Sequence, residues 1–386
     1  MSGTNRSCGV EKKCGACQLT NMDYERQLRF KQAKIVKLMG RCCRVGEIIG
    51  MDEPYGYRNK AQYAVRRVRG RVVTGVYQSA TGGIAVTDTC YLNDARSNMI
   101  ASTAARIVTQ LHIEPYSEKG GKGVLRHILV RRANATGEYM VVLVCFADDL
   151  KHESELTRRL TEAFPEIKTI VLNISRSAKM TLGREQRVLF GSGYIEDVLL
   201  GKRFRISPRS FYQINPEQTE RLYKTAIEFA GLRGGERIFD AYCGIGTIGI
   251  CASDGSGSII GVEQNGEAVR DARENAKING IDNAEYIESD AAEYLRSAAE
   301  NGEHIDVVFT DPPRAGCSMT FLKSLVKLNP ETVVYVSCDP QTLARDLFFL
   351  TKNGYKVRRI QPVDMFPFTQ HVECVVLLQK FQKKGD

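Results

Sequence analysis

The stretch Phe239-Asp-Ala-Tyr-Cys-Gly-Ile-Gly-Thr-Ile-Gly249 decides the fold of the second half of this 386-residue chain. Apolar residues begin it, as in a strand, and Gly244, Gly246 and Gly249 follow the spacing G-x-G-x-x-G. Such glycines let the backbone approach a ligand where a strand turns into a helix. Glu263 ends the next strand-like run, where a carboxylate accepts hydrogen bonds from ribose hydroxyls. The loop therefore predicts a nucleotide-type cofactor and fits NAD as well as S-adenosylmethionine.

The segments around this loop alternate between strand-like and helix-like patterns. Predicted strands at 237–240, 258–262 and 305–310 are separated by helices that begin at 246 and 266. Such alternation predicts an α/β fold with a doubly wound, mostly parallel sheet. Two features favour S-adenosylmethionine over NAD. Asp240, just before the loop, would suit a cationic ligand, and the later segments contain no obvious hydride-transfer site.

The first half of the chain has a different pattern. A helix is predicted at 22–38, with basic residues on its polar face, and residues 57–209 are mainly strand-like. We therefore predict two domains, an α+β, β-rich region at 1–206 and the α/β domain at 207–386.

Composition limits the compartment and the partner. The net charge of +9, from 54 Lys+Arg and 45 Asp+Glu, favours a polyanionic partner, although many basic proteins bind none. We expect a cytoplasmic protein, because the amino terminus has no signal-like apolar segment and no apolar run reaches the ~18 residues of a membrane span. The twelve cysteines are then expected as thiols, metal ligands or catalysts.

Cys338 is the candidate nucleophile in Thr332-Val-Val-Tyr-Val-Ser-Cys-Asp-Pro340. The pattern predicts a strand that ends at a helix, with Asp339 as N-cap and Pro340 as first helical residue. Because the amino end of a helix favours a thiolate, we expect a lowered thiol pKa. A buried structural cysteine is the alternative.

Asp311 and Glu373 supply carboxylates to the same predicted edge. Asp311 follows a strand in Asp-Pro-Pro-Arg, a turn similar to that of amino-group methyltransferases, but Arg314 replaces their stacking aromatic residue. A different acceptor atom is therefore expected, and carbon 5 of uracil is one whose chemistry needs a Cys and a carboxylate. This carbon becomes nucleophilic only after a thiolate adds to carbon 6, and a base must then remove the C5 proton. Cys338 and Glu373 would supply both groups, unless Glu373 is merely salt-bridged at the surface.

Four cysteines in the first half are candidate metal ligands. Cys8, Cys14 and Cys17 are close together, and Cys90 lies far downstream. This 3+1 spacing favours a [4Fe–4S] cluster, whereas zinc sites usually combine two close pairs. Zinc and unrelated thiols remain as alternatives.

With these motifs in order, the chain resembles the S-adenosylmethionine-dependent RNA uracil-5 methyltransferases of the RumA/TrmA type over nearly its whole length. The matching motifs are the four cysteines, Ser210-Phe-Tyr-Gln-Ile-Asn215, Asp240-Ala-Tyr-Cys-Gly-Ile-Gly246, Asp311-Pro-Pro-Arg314, Ser337-Cys-Asp-Pro-Gln-Thr-Leu-Ala-Arg-Asp346 and Asp364-Met-Phe-Pro-Phe-Thr-Gln-His-Val-Glu373. The resemblance implies a carboxyl-terminal Rossmann-like class I methyltransferase domain and an amino-terminal α+β iron–sulfur and RNA-binding domain.

The resemblance also implies roles for individual residues. Cys338 would be the nucleophile and Glu373 the base. S-adenosylmethionine would be bound by Gln213, Tyr242, Thr247, Glu263, Asp290 and Asp311. The flipped uracil would lie near Phe211, Gln213 and Asp311. A [4Fe–4S] cluster would be held by Cys8, Cys14, Cys17 and Cys90.

The substrate expected from the resemblance is 23S ribosomal RNA, because the ribosomal branch carries the cluster; transfer RNA is the alternative. Cys8 leaves no room for an amino-terminal TRAM domain, so RNA binding would fall to basic segments at 63–71, 126–132 and 202–205, each of which equally fits a solvated strand face. We expect a monomer that needs no membrane or obligate protein partner. An NAD-dependent oxidoreductase and a non-catalytic iron–sulfur RNA-binding protein are the competing functions.

Overall fold

A computed structural model describes residues 8–78, 81, 83–118, 120–177 and 182–381, and these form two seven-stranded sheets and a two-stranded hairpin. The first half contains α1 (Glu11–Cys14), α2 (Tyr24–Met39), β1 (Lys60–Val68), β2 (Arg71–Tyr77), β3 (Ile84–Val86), α3 (Ala95–Gln110), β4 (Leu125–Arg132), β5 (Tyr139–Cys145), α4 (Glu153–Ala163), β6 (Ile167–Ile174), β7 (Glu185–Gly191) and the hairpin β8 (Ile195–Leu199) and β9 (Lys202–Ile206).

The second half contains α5 (Pro216–Ala230), β10 (Arg237–Ala241), α6 (Thr247–Ala252), a short 3₁₀ helix (Ser253–Gly255), β11 (Ser258–Glu263), α7 (Gly266–Ile278), β12 (Ala284–Glu288), α8 (Ala291–Glu300), β13 (Val307–Thr310), α9 (Met319–Leu328), β14 (Thr332–Ser337), α10 (Pro340–Lys352), β15 (Tyr355–Val363) and β16 (Glu373–Lys380).

The first sheet has the order β3-β2-β1-β4-β5-β6-β7 and is largely antiparallel. β1 and β2 are joined by a tight turn in which Arg69 and Gly70 both have positive φ, so the two strands form a hairpin. Helices α3 and α4 cover one face of this sheet. Leu129 and Met140 on its other face pack with the β8–β9 hairpin and the second half.

The second sheet has the order β12-β11-β10-β13-β14-β16-β15, parallel from β12 to β14 and antiparallel at β16 and β15. This confirms the predicted Rossmann-like α/β fold. The direction of winding changes between β10 and β13. Open α/β sheets bind ligands at the carboxyl ends of their strands beside such a change.

Helix α2 packs on the second sheet although it precedes the first. Ile35 and Met39 share one apolar core with Phe321 of α9 and Leu343 of α10. The segment after α2 also bridges to β15, at Val45↔Ile360 and Ile49↔Val363. Packing therefore places this helix with the second half, while a domain boundary at 206/207 stays a prediction. No helix among the described residues is long and apolar enough to cross a membrane.

Candidate active site

Five successive parallel strands deliver polar groups to one edge of the second sheet. The groups that directly follow or end these strands are the 242–246 loop after β10, Glu263 of β11, Asp290 after β12, Asp311 after β13 and Cys338 after β14. Antiparallel β16 begins at the same edge with Glu373. The fold thus brings the predicted cofactor and catalytic residues to one side of the sheet.

The loop between β10 and α6 has the backbone conformation that its glycines predict. Tyr242, Gly244 and Gly246 have φ values of 60°, 57° and 82°. A Cβ atom at Gly246 would lie 2.9 Å from the hydroxyl of Tyr286, so a larger residue would need the ring to move. The loop therefore turns tightly at the sheet edge and leaves its backbone uncovered by side chains at the glycines.

Asp240 stabilises this loop from inside the core. Its Oδ2 accepts a hydrogen bond of 2.9 Å from the Gly249 N–H, and the side chain is buried. Burial raises the pKa of Asp240 to about 7; the Gly249 N–H opposes this rise, and Asp311 and Glu263 add to it. Asp240 therefore supports the loop through this hydrogen bond, and its expected contact with a cationic ligand stays a prediction.

Glu263 and Asp290 flank the glycine loop. Glu263 accepts from the Gly244 N–H at 3.3 Å and from the Asn265 N–H at 2.8 Å, which orients its carboxylate over the loop. Asp290 is exposed, and its Oδ1 caps α8 by accepting from the Ala292 and Glu293 N–H groups. Both positions suit contacts to a nucleoside, and the capping role of Asp290 was not expected.

The other predicted cofactor and base residues lie around the same edge. Thr247 Oγ1 is 3.2 Å from the hydroxyl of Tyr223, whose pKa is raised by burial and by the charge of Asp311. The Tyr242 ring lies 5.6 Å from that of Phe321. Gln213 and Phe211 precede α5, which packs on β14 and β16; Gln213 is buried, whereas Phe211 is 64% exposed.

Cys338 stands at the predicted strand-to-helix junction. Asp339 caps α10 by accepting from the Gln341 N–H at 2.9 Å, and Pro340 begins the helix, as predicted. The expected low pKa is wrong for this structure. Burial raises the pKa of the half-buried Cys338 to about 11, Glu373 and Asp311 raise it further, and Arg314 lowers it. Burial and the two neighbouring carboxyl groups raise the thiol pKa by more than the amino end of α10 lowers it.

Glu373 faces Cys338 across the strand pair. Ser337 is the register partner of Cys374 in antiparallel β14 and β16, so the next pair outward is Cys338 and Glu373. Glu373 is 3% exposed, and its buried Oε2 has no hydrogen-bond partner among the described residues. Burial and the charge of Asp311 raise its pKa well above the usual value. It is not a surface salt-bridge residue, and Cys374 is buried in the core.

Asp311 and Arg314 complete the charged group around the thiol. Part of Asp311 remains accessible, but burial raises the pKa of its carboxyl group to about 7. Arg314 contacts the ring of His371 at 3.4 Å. The sequence predicted no catalytic role for Arg314. Its position in the Asp-Pro-Pro-Arg turn, where amino-group methyltransferases have a stacking aromatic residue, was the one signal that could have indicated it.

Asp346 holds the turn that carries Arg314. This fully buried carboxylate accepts from the Tyr335 hydroxyl at 2.8 Å and from the Cys317 N–H at 2.9 Å. Gly316 has a φ of 75°, and a Cβ atom there would lie 2.7 Å from Asp346 Oδ2. The segment between β13 and α9 is therefore tied to α10 next to Cys338.

The connection between β15 and β16, residues 364–372, is held by the amino-terminal segment. Lys31 of α2 forms a fully buried ion pair of 2.6 Å with Asp364 and donates to the Phe366 carbonyl at 3.0 Å. Gln27 accepts from the Phe368 N–H at 2.8 Å, and Phe368 has a φ of 66°. No local sequence signal could have paired Lys31 with Asp364, which is 333 residues away.

The four predicted ligand cysteines line one cavity of about 360 Å³ beneath the first sheet. None of the twelve cysteines, all of which lie in the described ranges, forms a disulfide. Burial and the nearby Cys90 raise the pKa of Cys17 to about 12. Arg58 also lines the cavity, and its buried Nε has no hydrogen-bond partner in the described part of the chain. Within that part, however, no group of three or more His, Cys, Asp or Glu side chains has a metal-site arrangement.

Most basic side chains of the predicted RNA-binding segments are buried or paired with carboxylates, whereas Arg69 and Arg71 are exposed and form no salt bridge within the described ranges. Arg126 and Arg131 are each 2% exposed. The two expectations for 126–132, an RNA-binding face and a solvated face, are therefore both wrong for these two arginines. Arg131 donates to the Ser207 and Ser210 carbonyls, and burial lowers its pKa to about 10. In the other two segments, Arg67 pairs with Glu114, Lys202 with Asp254, Arg203 with Glu196 and Arg205 with Asp271.

Comparison with known proteins agrees with this geometry. The family described as tRNA (Uracil-5-)-methyltransferase matches residues 23–381. An uncharacterized RNA methyltransferase of Clostridium acetobutylicum is 42% identical over 98% of this chain and 84% of its own length. One of Halalkalibacterium halodurans is 40% identical over 96% of this chain and 82% of its own length.

Among solved structures, the Pyrococcus abyssi tRNA (uracil-54, C5)-methyltransferase in complex with S-adenosyl-L-homocysteine has a TM-score of 0.78. It is 28% identical, and the match covers 94% of this chain and 85% of that protein. The chain therefore belongs to the tRNA (uracil-5-)-methyltransferase family and is an S-adenosylmethionine-dependent RNA uracil-5 methyltransferase.

Proposed function

We propose that this enzyme methylates carbon 5 of one particular uridine in 23S ribosomal RNA through a covalent bond between Cys338 and carbon 6. The observation that carries the proposed chemistry is that half-buried Cys338 and buried Glu373 lie one position beyond the register pair Ser337 and Cys374, and that Glu373 Oε2 has no hydrogen-bond partner among the described residues. An unpaired buried carboxylate oxygen is costly unless a ligand group meets it.

The chain's residues divide the chemistry between them. The Cys338 thiol loses its proton to solvent, and its Sγ bonds to carbon 6 as the C5–C6 double bond opens and places its electron pair on carbon 5. Bound S-adenosylmethionine would supply the methyl group that carbon 5 takes and would leave as S-adenosylhomocysteine. Glu373 then removes the C5 proton, and the Sγ–C6 bond breaks to restore the uracil ring. The raised pKa of Glu373 makes its carboxylate a stronger base for this step.

The other predicted site residues would contact the cofactor or the target base. Gln213, Tyr242, Thr247, Glu263, Asp290 and Asp311 would surround S-adenosylmethionine, while Phe211, Gln213 and Asp311 would contact the flipped base. The positive-φ loop and the oriented carboxylate of Glu263 fit a nucleoside at this edge.

We further propose that Cys8, Cys14, Cys17 and Cys90 hold a [4Fe–4S] cluster. Their common cavity supports this, as does Arg58, since a thiolate-ligated cluster would give its unpartnered Nε an anionic acceptor. Zinc remains the alternative.

A transfer RNA substrate is the second candidate, favoured by the similar Pyrococcus abyssi enzyme that acts on uracil 54 of tRNA. Mass mapping of 5-methyluridine in ribosomal and transfer RNA from cells lacking this protein separates the two. We expect one 23S site to lose its methyl group and to regain it with wild-type protein but not with Cys338→Ala. Loss confined to transfer RNA would replace the ribosomal assignment, and no loss in either RNA would contradict the proposed activity.

A further inference from the structure

Helix α2 presents two different faces. Its inward face consists of the buried side chains of Gln27, Lys31, Ile35 and Met39. A neighbouring face, which we call the α2 stripe, consists of Arg26, Phe30, Lys34 and Lys37, spaced three or four residues apart so that they follow one another along the helix. Three of its four members are cationic, and the fourth is an aromatic ring that is 43% exposed.

The charges of the α2 stripe are available to a partner. Within the described ranges, none of its three cations forms a salt bridge, whereas Arg29 on another face of the helix pairs with Glu25 at 2.5 Å. In the basic segments of the first sheet, Arg67 pairs with Glu114 and Arg126 and Arg131 are buried, whereas Arg69 and Arg71 at the β1–β2 turn are exposed and form no salt bridge within the described ranges. A polyanion therefore meets less competition from carboxylates at α2 than at Arg67, and α2 offers three cations on one helix face.

The α2 stripe also lies beside the proposed catalytic residues. Lys34 Nζ donates to the Gln370 carbonyl at 3.3 Å, three residues before Glu373. Burial lowers the pKa of His371, and the positive charges of Arg314 and Lys34 lower it further, so both cations lie near this ring. From Arg26 to Lys37 the helix rises about 16 Å, enough to follow several phosphates of one strand.

We propose that the α2 stripe binds the sugar–phosphate backbone of the substrate RNA next to the flipped uridine, with Phe30 as a stacking surface for an adjacent unpaired base. This inference rests on the proposed function. Cations on one helix face neutralise phosphates without reading sequence, and exposed aromatic rings stack on bases of any type. RNA would thus reach the site along α2, which packs on the second sheet.

The test compares the double variant Arg26→Gln/Lys37→Gln with a control of equal charge, Lys323→Gln/Lys327→Gln. The control lysines are exposed on α9, which α10 separates from α2. RNA affinity is measured between 50 and 200 mM salt, conditions over which phosphate contacts dominate its change. We expect the α2 variant to bind more weakly and its log–log salt slope to flatten by about 0.7 to 0.9 per lost phosphate contact, with unchanged S-adenosylmethionine binding. Affinity and slope equal to those of the control would overturn the inference.

Phe30→Ala tests the stacking contact. We expect roughly tenfold weaker RNA binding with an unchanged salt slope, and recovery with Phe30→Tyr, because stacking needs a ring and not a charge. Recovery with Phe30→Leu as complete as with Phe30→Tyr would contradict stacking. Covalent capture of 5-fluorouridine RNA by the wild type separates the two hypotheses: its failure contradicts the proposed function, whereas capture together with wild-type binding by both α2 variants contradicts only the stripe.

Discussion

Arg314 is the positive charge that opposes the raised pKa of Cys338, so it should control how much thiolate is present at neutral pH. Because the pKa lies near 11, the thiolate fraction should rise about tenfold per pH unit between pH 7 and 9. We expect the rate of covalent attachment to 5-fluorouridine RNA, measured by rapid quench at saturating RNA, to rise accordingly. For Arg314→Met we expect a parallel but lower profile, since the pKa is higher still. A pH-independent rate in the wild type would show that the thiol is not the titrating group.

Cys338→Ala should abolish methyl transfer and covalent capture while S-adenosylmethionine still binds, because the thiol is proposed to act on the base and not on the cofactor. Binding is measured by calorimetry and capture by denaturing electrophoresis. The matched control is Cys374→Ala, which removes a thiol from the buried core one register position away and should lower stability without ending capture. Appreciable turnover by Cys338→Ala would contradict the covalent mechanism.

Glu373→Gln should have a different consequence from loss of the thiol. Addition and methylation proceed, but the C5 proton stays in place, so Cys338 cannot leave carbon 6. Denaturing electrophoresis with labelled methyl groups should show methylated RNA attached to the protein. Release of product at the wild-type rate would place the base elsewhere.

At the scale of elements, α2 and the 364–372 connection are joined by the buried pair of Lys31 and Asp364. Lys31→Met leaves the buried Asp364 carboxylate without its cation, which should lower the free energy of unfolding by about 3 to 5 kcal/mol. Lys31→Met/Asp364→Asn should recover part of this loss because it removes both charges. Urea denaturation measures both, with Arg29→Met as the control for an exposed pair, expected to change stability by less than about 1 kcal/mol. Equal effects of Lys31→Met and Arg29→Met would show that the buried pair contributes little.

At the scale of the whole molecule, the cysteine-lined cavity lies where the amino-terminal segment meets the 364–372 connection. Cys17 and Cys90 pack with Phe368, which belongs to the 364–372 connection. Protein purified without oxygen should contain iron and inorganic sulfide, and Cys14→Ser should lose both. The variant should also lose solubility and RNA affinity more than S-adenosylmethionine binding, because a cluster on the proposed ligands would tie residues 8–17 to Cys90 and not to the glycine loop. Colourless wild-type protein with one zinc per chain would favour the zinc alternative.

Local sequence by itself determined the glycine loop, the Asp339 cap and the strand ends that bear Asp311 and Cys338, because each depends on backbone conformation or spacing within a few residues. Only the tertiary structure decided the high pKa of Cys338, the burial of Arg126 and Arg131 and the packing of α2 on the second sheet. These properties depend on neighbours far away in the chain, whose carboxylates and desolvation no local pattern reports. The same charged residue type is buried at Lys31 and available at Lys37 because six positions rotate the helix from its core-facing side to its flank.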